Sequence, residues 1–300
     1  MTETTFAASE PPVEVCHLTR RFGATKALDD VSLTVPRGGV LGLIGGNGAG
    51  KTTLIKHLLG LYRPQSGTVR VFGLDPIQHP IETLSQIGYM SEDRDLPLWM
   101  RVGELLRYCQ AFYSRWDMRF AEELRDAFDL GPQARVKTLS RGQRARASLL
   151  VALAYRPDLL LLDEPSAGLD PVVRRDILGA IIRTIADEGR TVIFSSHLLD
   201  EVERVADRIA IIHRGQIVLT ASLDELKETH RRVTLRFDRH FDRPPELTGA
   251  ISATGEDCEW TYVCSHDREQ IRIAATAMGA TIVGEDRLTL DEIFVSHIQG

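Results

Sequence analysis

Cysteine is scarce in this chain, neither sign of charge dominates it, and it has no long apolar run. The four cysteines, Cys16, Cys109, Cys258 and Cys264, are too few to staple 300 residues. None stands at C-x-x-C or zinc-finger spacing, which argues against a disulfide scaffold and a structural zinc site. A reducing compartment fits this usage, and Cys258 and Cys264 read as a strand pair or as filler. The formal net charge of -6 gives no global attraction to a phosphate backbone, so nucleic-acid binding by bulk charge is not expected. The most apolar tract, residues 147–162, is broken by Arg156, Pro157 and Asp158 and falls short of the ~20 residues that span a bilayer. Membrane work would therefore need a partner. Residues Met1 to Pro12 carry no basic or apolar signal region, so no secretory signal is expected there. Internal repeats and low-complexity runs are missing too, which excludes solenoids and coiled-coil arms. What is present, 43% hydrophobic and 26% charged residues, suits an ordinary globular chain with one large domain and a smaller one.

From Val13 to about Leu219 short β-rich runs alternate with amphipathic helices, the pattern of an α/β fold. Val40 to Ile44 reads as a buried strand ended by glycines, and Thr53 to Leu59 as a helix. Over residues 95–155 the strand signal gives way to helix, with Val102, Leu105, Leu106, Cys109, Phe112 and Tyr113 near a 3.6-residue period. Leu159 to Leu162 resumes as a strand, Val172 to Ala186 as a helix, Thr191 to Ser195 as a strand and Leu198 to Val205 as a helix. Arg214-Gly215 reads as the turn of a hairpin. A short helix near Leu223 to Thr229 leads to strands at Val233 to Phe237 and Thr261 to Cys264 and a helix at Arg268 to Met278. The expected organisation is a disordered stretch 1–12, an α/β domain 13–222 with a helical subdomain 95–155, and an α+β appendage 223–300.

Gly45-Gly46-Asn47-Gly48-Ala49-Gly50-Lys51-Thr52 fits G-x-x-x-x-G-K-[ST] between a strand and a helix, the arrangement of a phosphate-binding P-loop. Its glycines let backbone N–H groups converge on phosphate oxygens, the helix start adds positive potential, and Lys51 neutralises β/γ charge. The Thr52 hydroxyl can ligate Mg²⁺, and Thr53 offers a second hydroxyl. Strand 159–162 then delivers Asp163 toward the metal. Glu164 beside it can accept a proton from, and orient, the water that attacks the γ-phosphate. His197, after an apolar strand and Ser195-Ser196, can reach the γ-phosphate as a neutral donor or act as a hinge.

These residues, in this order, resemble the ATP-binding subunits of ABC transporters over some 200 residues. Leu139-Ser140-Arg141-Gly142-Gln143 is similar to that family's L-S-G-G-Q signature, and Ser166-Ala167-Gly168-Leu169-Asp170 to its D-loop. The resemblance implies an α/β P-loop ATPase with an inserted helical subdomain, two copies packing head to tail so that Ser140, Gly142 and Gln143 close over ATP held by the other chain. It implies that Asp170 links the two sites and that Phe22 stacks on adenine. Two positions depart from the pattern. Arg141 replaces a glycine, tolerable if its side chain points to solvent. Glu92 stands where the family's glutamine touches the metal and senses the transmembrane partner, and is expected to keep that coupling role while its added negative charge alters metal preference or turnover.

The expected activity is hydrolysis of ATP with Mg²⁺ by a peripheral subunit on the cytoplasmic face of the cell (inner) membrane, working with a second copy or a paralogous ATPase and with separate permease subunits. Loop 92–100, with Leu96, Pro97, Leu98 and Trp99, is the expected permease contact. The tail Leu288-Thr289-Leu290-Asp291-Glu292-Ile293-Phe294 resembles those of ATPases serving exporters of antibiotics, lipids and polysaccharides, so export is the reading. The alternatives are an importer ATPase or a soluble relative acting on ribosomes or DNA.

Overall fold

Alternation opens the folded chain. In β1 (Val13–Phe22) and β2 (Thr25–Val35), Val13, Val15, Val31, Leu33 and Val35 turn inward while residues between them are more exposed, the habit of a sheet buried on one face. After β3 (Gly39–Ile44) and α1 (Lys51–Leu58), β4 (Ser66–Val71) returns to pair with β1, completing an antiparallel sheet in the order β2-β1-β4. The computed structural model describes residues 10–299, and its chain divides into two units, Met1–Ala206 with Ile212–Ile217, and Asp207–Ile211 with Val218–Gly300. The sequence boundary at 222/223 lies later than this division. Of the tail expected to be disordered, residues 1–9 lie outside the described residues, whereas Pro12 is buried and its carbonyl accepts a hydrogen bond from the Phe72 N–H (2.9 Å), so order begins before Val13.

Helix α2 (Pro80–Leu84) leads into β5 (Ile87–Met90), and the helical insert comes next as α3 (Val102–Gln110), α4 (Met118–Ala127), a 3₁₀ turn at Val136–Thr138 and α5 (Arg141–Leu153). Met100, Leu105, Cys109 and Val136 form its core. Phe112 departs from the periodic reading. Helix α3 ends at Gln110, so Phe112 lies beyond it, 67% exposed and edge-on to Tyr108 with ring centroids 5.0 Å apart.

The chain then supplies β6 (Leu159–Leu162), α6 (Pro171–Glu188), β7 (Thr191–Ser196), α7 (Leu199–Val205) and the hairpin β8 (Arg208–His213) and β9 (Gln216–Ser222). Arg214 and Gly215 turn that hairpin with φ of 48° and 81°, the two positive angles of a tight primed turn. The sheet order is β5-β6-β7-β3-β8-β9. Strands β5, β6, β7 and β3 run parallel with Met90 opposite Leu162, Leu162 opposite Phe194, and Ile44 opposite Ser196. All four therefore end at nearly one level, and the loops leaving them share one edge, where α/β folds bind ligands.

The second unit continues with α8 (Leu223–Thr229), β10 (His230–Phe237), β11 (Ala250–Glu256), β12 (Glu259–Ser265), α9 (Arg268–Ala277), β13 (Ala280–Arg287) and α10 (Leu290–Gln299). Its antiparallel sheet, β11-β12-β10-β13, buries Val233, Leu235, Phe237, Trp260, Tyr262 and Cys264 with Ile271 and Ala275 of α9. The sequence reading finds the two central strands and α9 but not β11 and β13. Those two are the edges, and their serine, threonine, glycine and charged residues carry little of the inward alternation that marks a strand.

A pair of histidines, His230 buried and His297 half-buried, joins β10 to α10 within this unit. Thr229 Oγ1 donates to the Glu225 carbonyl (2.7 Å) and so accepts from His230 Nδ1–H (3.1 Å), leaving His230 Nε2 to accept from His297 Nε2–H (3.1 Å). Burial first, then the neighbouring His297, pushes His230 down from 6.5 to about 4, and burial also lowers His297. The unfolded chain takes up these protons at higher pH than the folded one. The stabilisation is therefore complete above about pH 6.5 and lost as pH falls toward about 4. In thermal unfolding of the full chain between about pH 7.5 and about pH 4.5, wild type is expected to lose on the order of 2 kcal/mol more than His230→Gln. Parallel pH profiles for the two proteins would refute this.

Candidate active site

Residues 46–53 wrap a cavity of about 330 Å³, closed on its other sides by Ala27, Glu92, Glu164 and His197. The loop's shape is enforced locally. Gly50, at φ 116°, precedes α1, and a Cβ there would meet the Ala27 carbonyl oxygen at 2.6 Å, so only glycine fits. Gly215 N–H donates to the Ala49 carbonyl (3.0 Å), bracing the loop from the β8–β9 turn. The first N–H groups of α1 have no acceptor within the helix, which suits them to an anion.

Lys51 is only 6% exposed, and its ammonium is fully committed. Nζ donates to the Gly45 carbonyl (2.6 Å) and the Gly46 carbonyl (3.3 Å) and pairs with Glu164 Oε1 (3.0 Å). Glu164 Oε2 accepts from His197 Nδ1–H (2.8 Å). With Nδ1–H given to a carboxylate, a neutral His197 has only an acceptor at Nε2, so the neutral-donor role requires that this bond be released first. Glu164 sits in the left-handed region, φ 46°, an arrangement costing about 1–2 kcal/mol for a residue with a Cβ.

Ser195 has a role that the sequence does not reveal. Fully buried in β7, its hydroxyl donates to Asp163 Oδ1 (2.7 Å) and accepts from the Glu164 N–H (2.8 Å), fixing both acids at once. Period-2 burial along a strand cannot distinguish such a serine from filler, because its partners come from another strand. Asp163 is 1% exposed. Burial raises its carboxyl, opposed by hydrogen bonds from Ser195 and Thr52 and by Lys51, with Glu164 adding to the rise. Its Oδ2 is buried without a hydrogen-bond partner, the position of an oxygen ready for a cation. Thr52, Asp163 and Glu92 are the residues able to hold one. Among the described residues there is no cluster of three or more His, Cys, Asp or Glu able to hold a metal without a ligand's help.

The remaining sequence candidates lie outside the cavity. Ser140 caps α5 in a reciprocal box, accepting from Gln143 N–H (3.1 Å) while Gln143 Oε1 accepts from Ser140 N–H (3.0 Å), and it is exposed. Gly142 is buried against Val173, and Asp170 Oδ1 caps α6 by accepting from Val172 and Val173 N–H (3.0 and 3.1 Å). Phe22, 43% exposed, packs edge-on to Tyr62 with the Arg20 guanidinium 4.8 Å from its ring centroid. Arg141 corrects an expectation. Its side chain is exposed but not free in solvent, since the guanidinium folds back and donates to the Ala167 carbonyl (3.2 Å).

Known proteins resemble this chain in sequence and in fold. The ABC transporter family matches over residues 28–167. The chain is 30% identical to the ABC transporter ATP-binding protein YtrB of Bacillus subtilis (strain 168), across 96% of this chain and 98% of that one. It is 38% identical to the daunorubicin/doxorubicin resistance ATP-binding protein DrrA of Streptomyces peucetius, across 76% and 70%. A solved ATP-binding subunit of an ABC transporter superposes with a TM-score of 0.67 at 30% identity, covering 72% of this chain and 91% of that one.

Ser195→Ala strands a carboxylate oxygen and a backbone N–H in the interior. It is expected to lower stability by about 2–4 kcal/mol in urea unfolding with an unchanged denaturant slope. A loss under about 0.5 kcal/mol would show that the two acids do not depend on it.

Proposed function

The chain belongs to the ABC transporter family, as an ATP-binding and ATP-hydrolysing subunit, and from that premise we propose that it drives export through separate membrane-spanning partners, with Glu164 as the base. The observation that carries the assignment is Glu164 at the cavity wall, 6% exposed, held between Lys51 and His197. A triphosphate entering the loop competes with Glu164 for the Lys51 ammonium. Released from that pair, the carboxylate is free to take a proton from water, and the His197 contact keeps it aimed at the cavity. In that reading Thr52 and Asp163 hold Mg²⁺, consistent with the unpartnered Asp163 Oδ2, and Glu92 at the rim adds a further oxygen. When bound, the cation neutralises charge on the β- and γ-phosphates.

Ser140, Gly142, Gln143 and Asp170 do not line the cavity of their own chain. Their role is to complete the site of a second copy or of a paralogous ATPase, with Phe22 stacking on adenine. Permease subunits dock on the loop after Glu92, where Leu98 and Trp99 are 49% and 71% exposed. No helix among the described residues is long and apolar enough to cross a membrane, in keeping with a peripheral subunit on the cytoplasmic face. Export is supported by the resistance function in the name of the Streptomyces peucetius relative and by the resemblance of residues 288–294 to the terminal helix of exporter ATPases.

Glu164→Gln is expected to bind ATP while hydrolysing it at least ~10²-fold more slowly, and to accumulate as a nucleotide-bound dimer in size-exclusion chromatography. Full activity would remove Glu164 from the mechanism. Glu92→Gln is expected to shift the Mg²⁺ concentration giving half-maximal ATPase rate. An unchanged rate and an unchanged Mg²⁺ curve would place Glu92 outside the metal's reach.

A further inference from the structure

Glu164 is succeeded at once by a tight turn, with Ala167 N–H bonded to the Glu164 carbonyl (3.1 Å) and Leu169 N–H to the Ser166 carbonyl (3.1 Å). That turn is gripped from one side by Glu201, a carboxylate 1% exposed that accepts from Ser166 Oγ (2.5 Å). Two arginines from distant parts of the chain hold it through its carbonyls. Arg94, 5% exposed and turned inward at φ 53°, donates from Nη2 to the Ala167 carbonyl (2.9 Å) and the Pro165 carbonyl (3.4 Å). Arg141 donates to the same Ala167 carbonyl (3.2 Å), and its guanidinium lies so close over Gly168 that a Cβ there would be 2.4 Å from it.

Two guanidiniums on one carbonyl repel each other. Burial, then Arg141 and Arg144, act to discharge Arg94, and Glu92 is the neighbouring carboxylate that favours its charge. An arrangement costly in charge and desolvation is poor filler. It ties three segments to one peptide: the loop carrying Glu92 at the cavity rim, the first turn of α5 beside Ser140, and the turn that begins at Glu164.

We propose that Arg94 and Arg141 are positioning residues for hydrolysis, a clamp on the Ala167 carbonyl that holds the turn after Glu164 in place. The proposal rests on the assignment of Glu164 as the base. Loosening the clamp lets the strained Glu164 backbone relax, so the carboxylate loses its aim while the phosphate loop, which neither arginine touches, is unaffected. The turnover number should fall without a matching loss of nucleotide affinity.

The test compares the full-length wild type with Arg94→Gln, Arg94→Lys, Arg141→Gly, the double variant Arg94→Gln/Arg141→Gly, and Glu164→Gln, measuring ATPase rate against Mg·ATP and ADP affinity by calorimetry. Arg94→Gln is expected to lower kcat roughly 10-fold and Arg141→Gly roughly 3-fold, with KM and ADP affinity within about 2-fold of wild type. Arg94→Lys should recover part of the loss, since one ammonium reaches one of the two carbonyls. The double variant should fall no further than roughly the worse single variant, because both side chains act on one carbonyl. Wild-type kcat in both single variants, or kcat and ADP affinity falling together, would overturn the clamp. Should Arg94→Gln not fold, the exposed Arg141→Gly decides alone on the same criteria. Full activity in Glu164→Gln would sink the base assignment, whereas an inactive Glu164→Gln beside wild-type arginine variants would sink the clamp only.

Discussion

Parallel pairing in register decides where every reactive group of this protein stands. Because Met90, Leu162, Phe194 and Gly42 come level, with β7 and β3 running two residues further, the chain leaves β5, β6, β7 and β3 at one edge. The segments leaving that edge carry the chemistry: Glu92 after β5, Asp163 and Glu164 after β6, His197 after β7, and the phosphate loop after β3. A slip of one residue would turn the inward faces outward and separate these groups by several ångströms. The four leucines of β6 are at most 1% exposed and leave no room for such a slip, since burial on both faces fixes the strand's position as well as its existence. The site is thus held by apolar packing that never touches a nucleotide.

The charges that this packing brings together would be unfavourable one at a time. Asp163 and Glu164 are adjacent carboxylates with almost no exposure, and burial pushes the Asp163 carboxyl up. Their partners are arranged to keep them useful. Ser195 serves both acids, while Lys51 and His197 take the two oxygens of Glu164. In the proposed function a phosphate competes with Glu164 for the Lys51 ammonium, so the pair that stabilises the loop also ties release of that carboxylate to binding. Strain at Glu164, φ 46°, belongs to the same device: a backbone in a costly conformation is retained because its N–H, its two oxygens and the turn after it are all tied down.

The sequence was most informative where residues act through local spacing and least where they act across strands. The glycines, Lys51 and Thr52 are legible because backbone geometry demands them at fixed offsets, and the capping box of Ser140 and Gln143 is legible for the same reason. Ser195, Glu201 and Arg94 are invisible by that method. Each is an ordinary residue type whose partner lies 31 to 73 positions away, with Glu164 for Ser195, Ser166 for Glu201 and Ala167 for Arg94. The edge strands β11 and β13 escape for a related reason, since an edge needs no continuous apolar face. Phe112 shows the converse error, a residue with helical periodicity that lies past the helix end and turns outward.

Arg141 joins these two lessons. By motif it is a departure, a large cation in place of a glycine, and by composition it is one of many surface charges in a chain of net charge -6. Its place in the fold gives it a different meaning. Arg94, Arg141 and Arg144 gather near the turn after Glu164, so that a chain acidic overall concentrates cationic side chains close to its reactive edge. Net charge governs how the whole molecule meets a distant polyanion, and at that range the acidic majority prevails. Within a Debye length, about 8–10 Å at physiological salt, the local cluster governs instead. Two arginines on one carbonyl, with a third beside them and one nearby carboxylate, are there a geometric constraint before they are an electrostatic attraction. The position of the Ala167 carbonyl matters because moving it away would leave the buried Arg94 cation with only its longer contact to the Pro165 carbonyl.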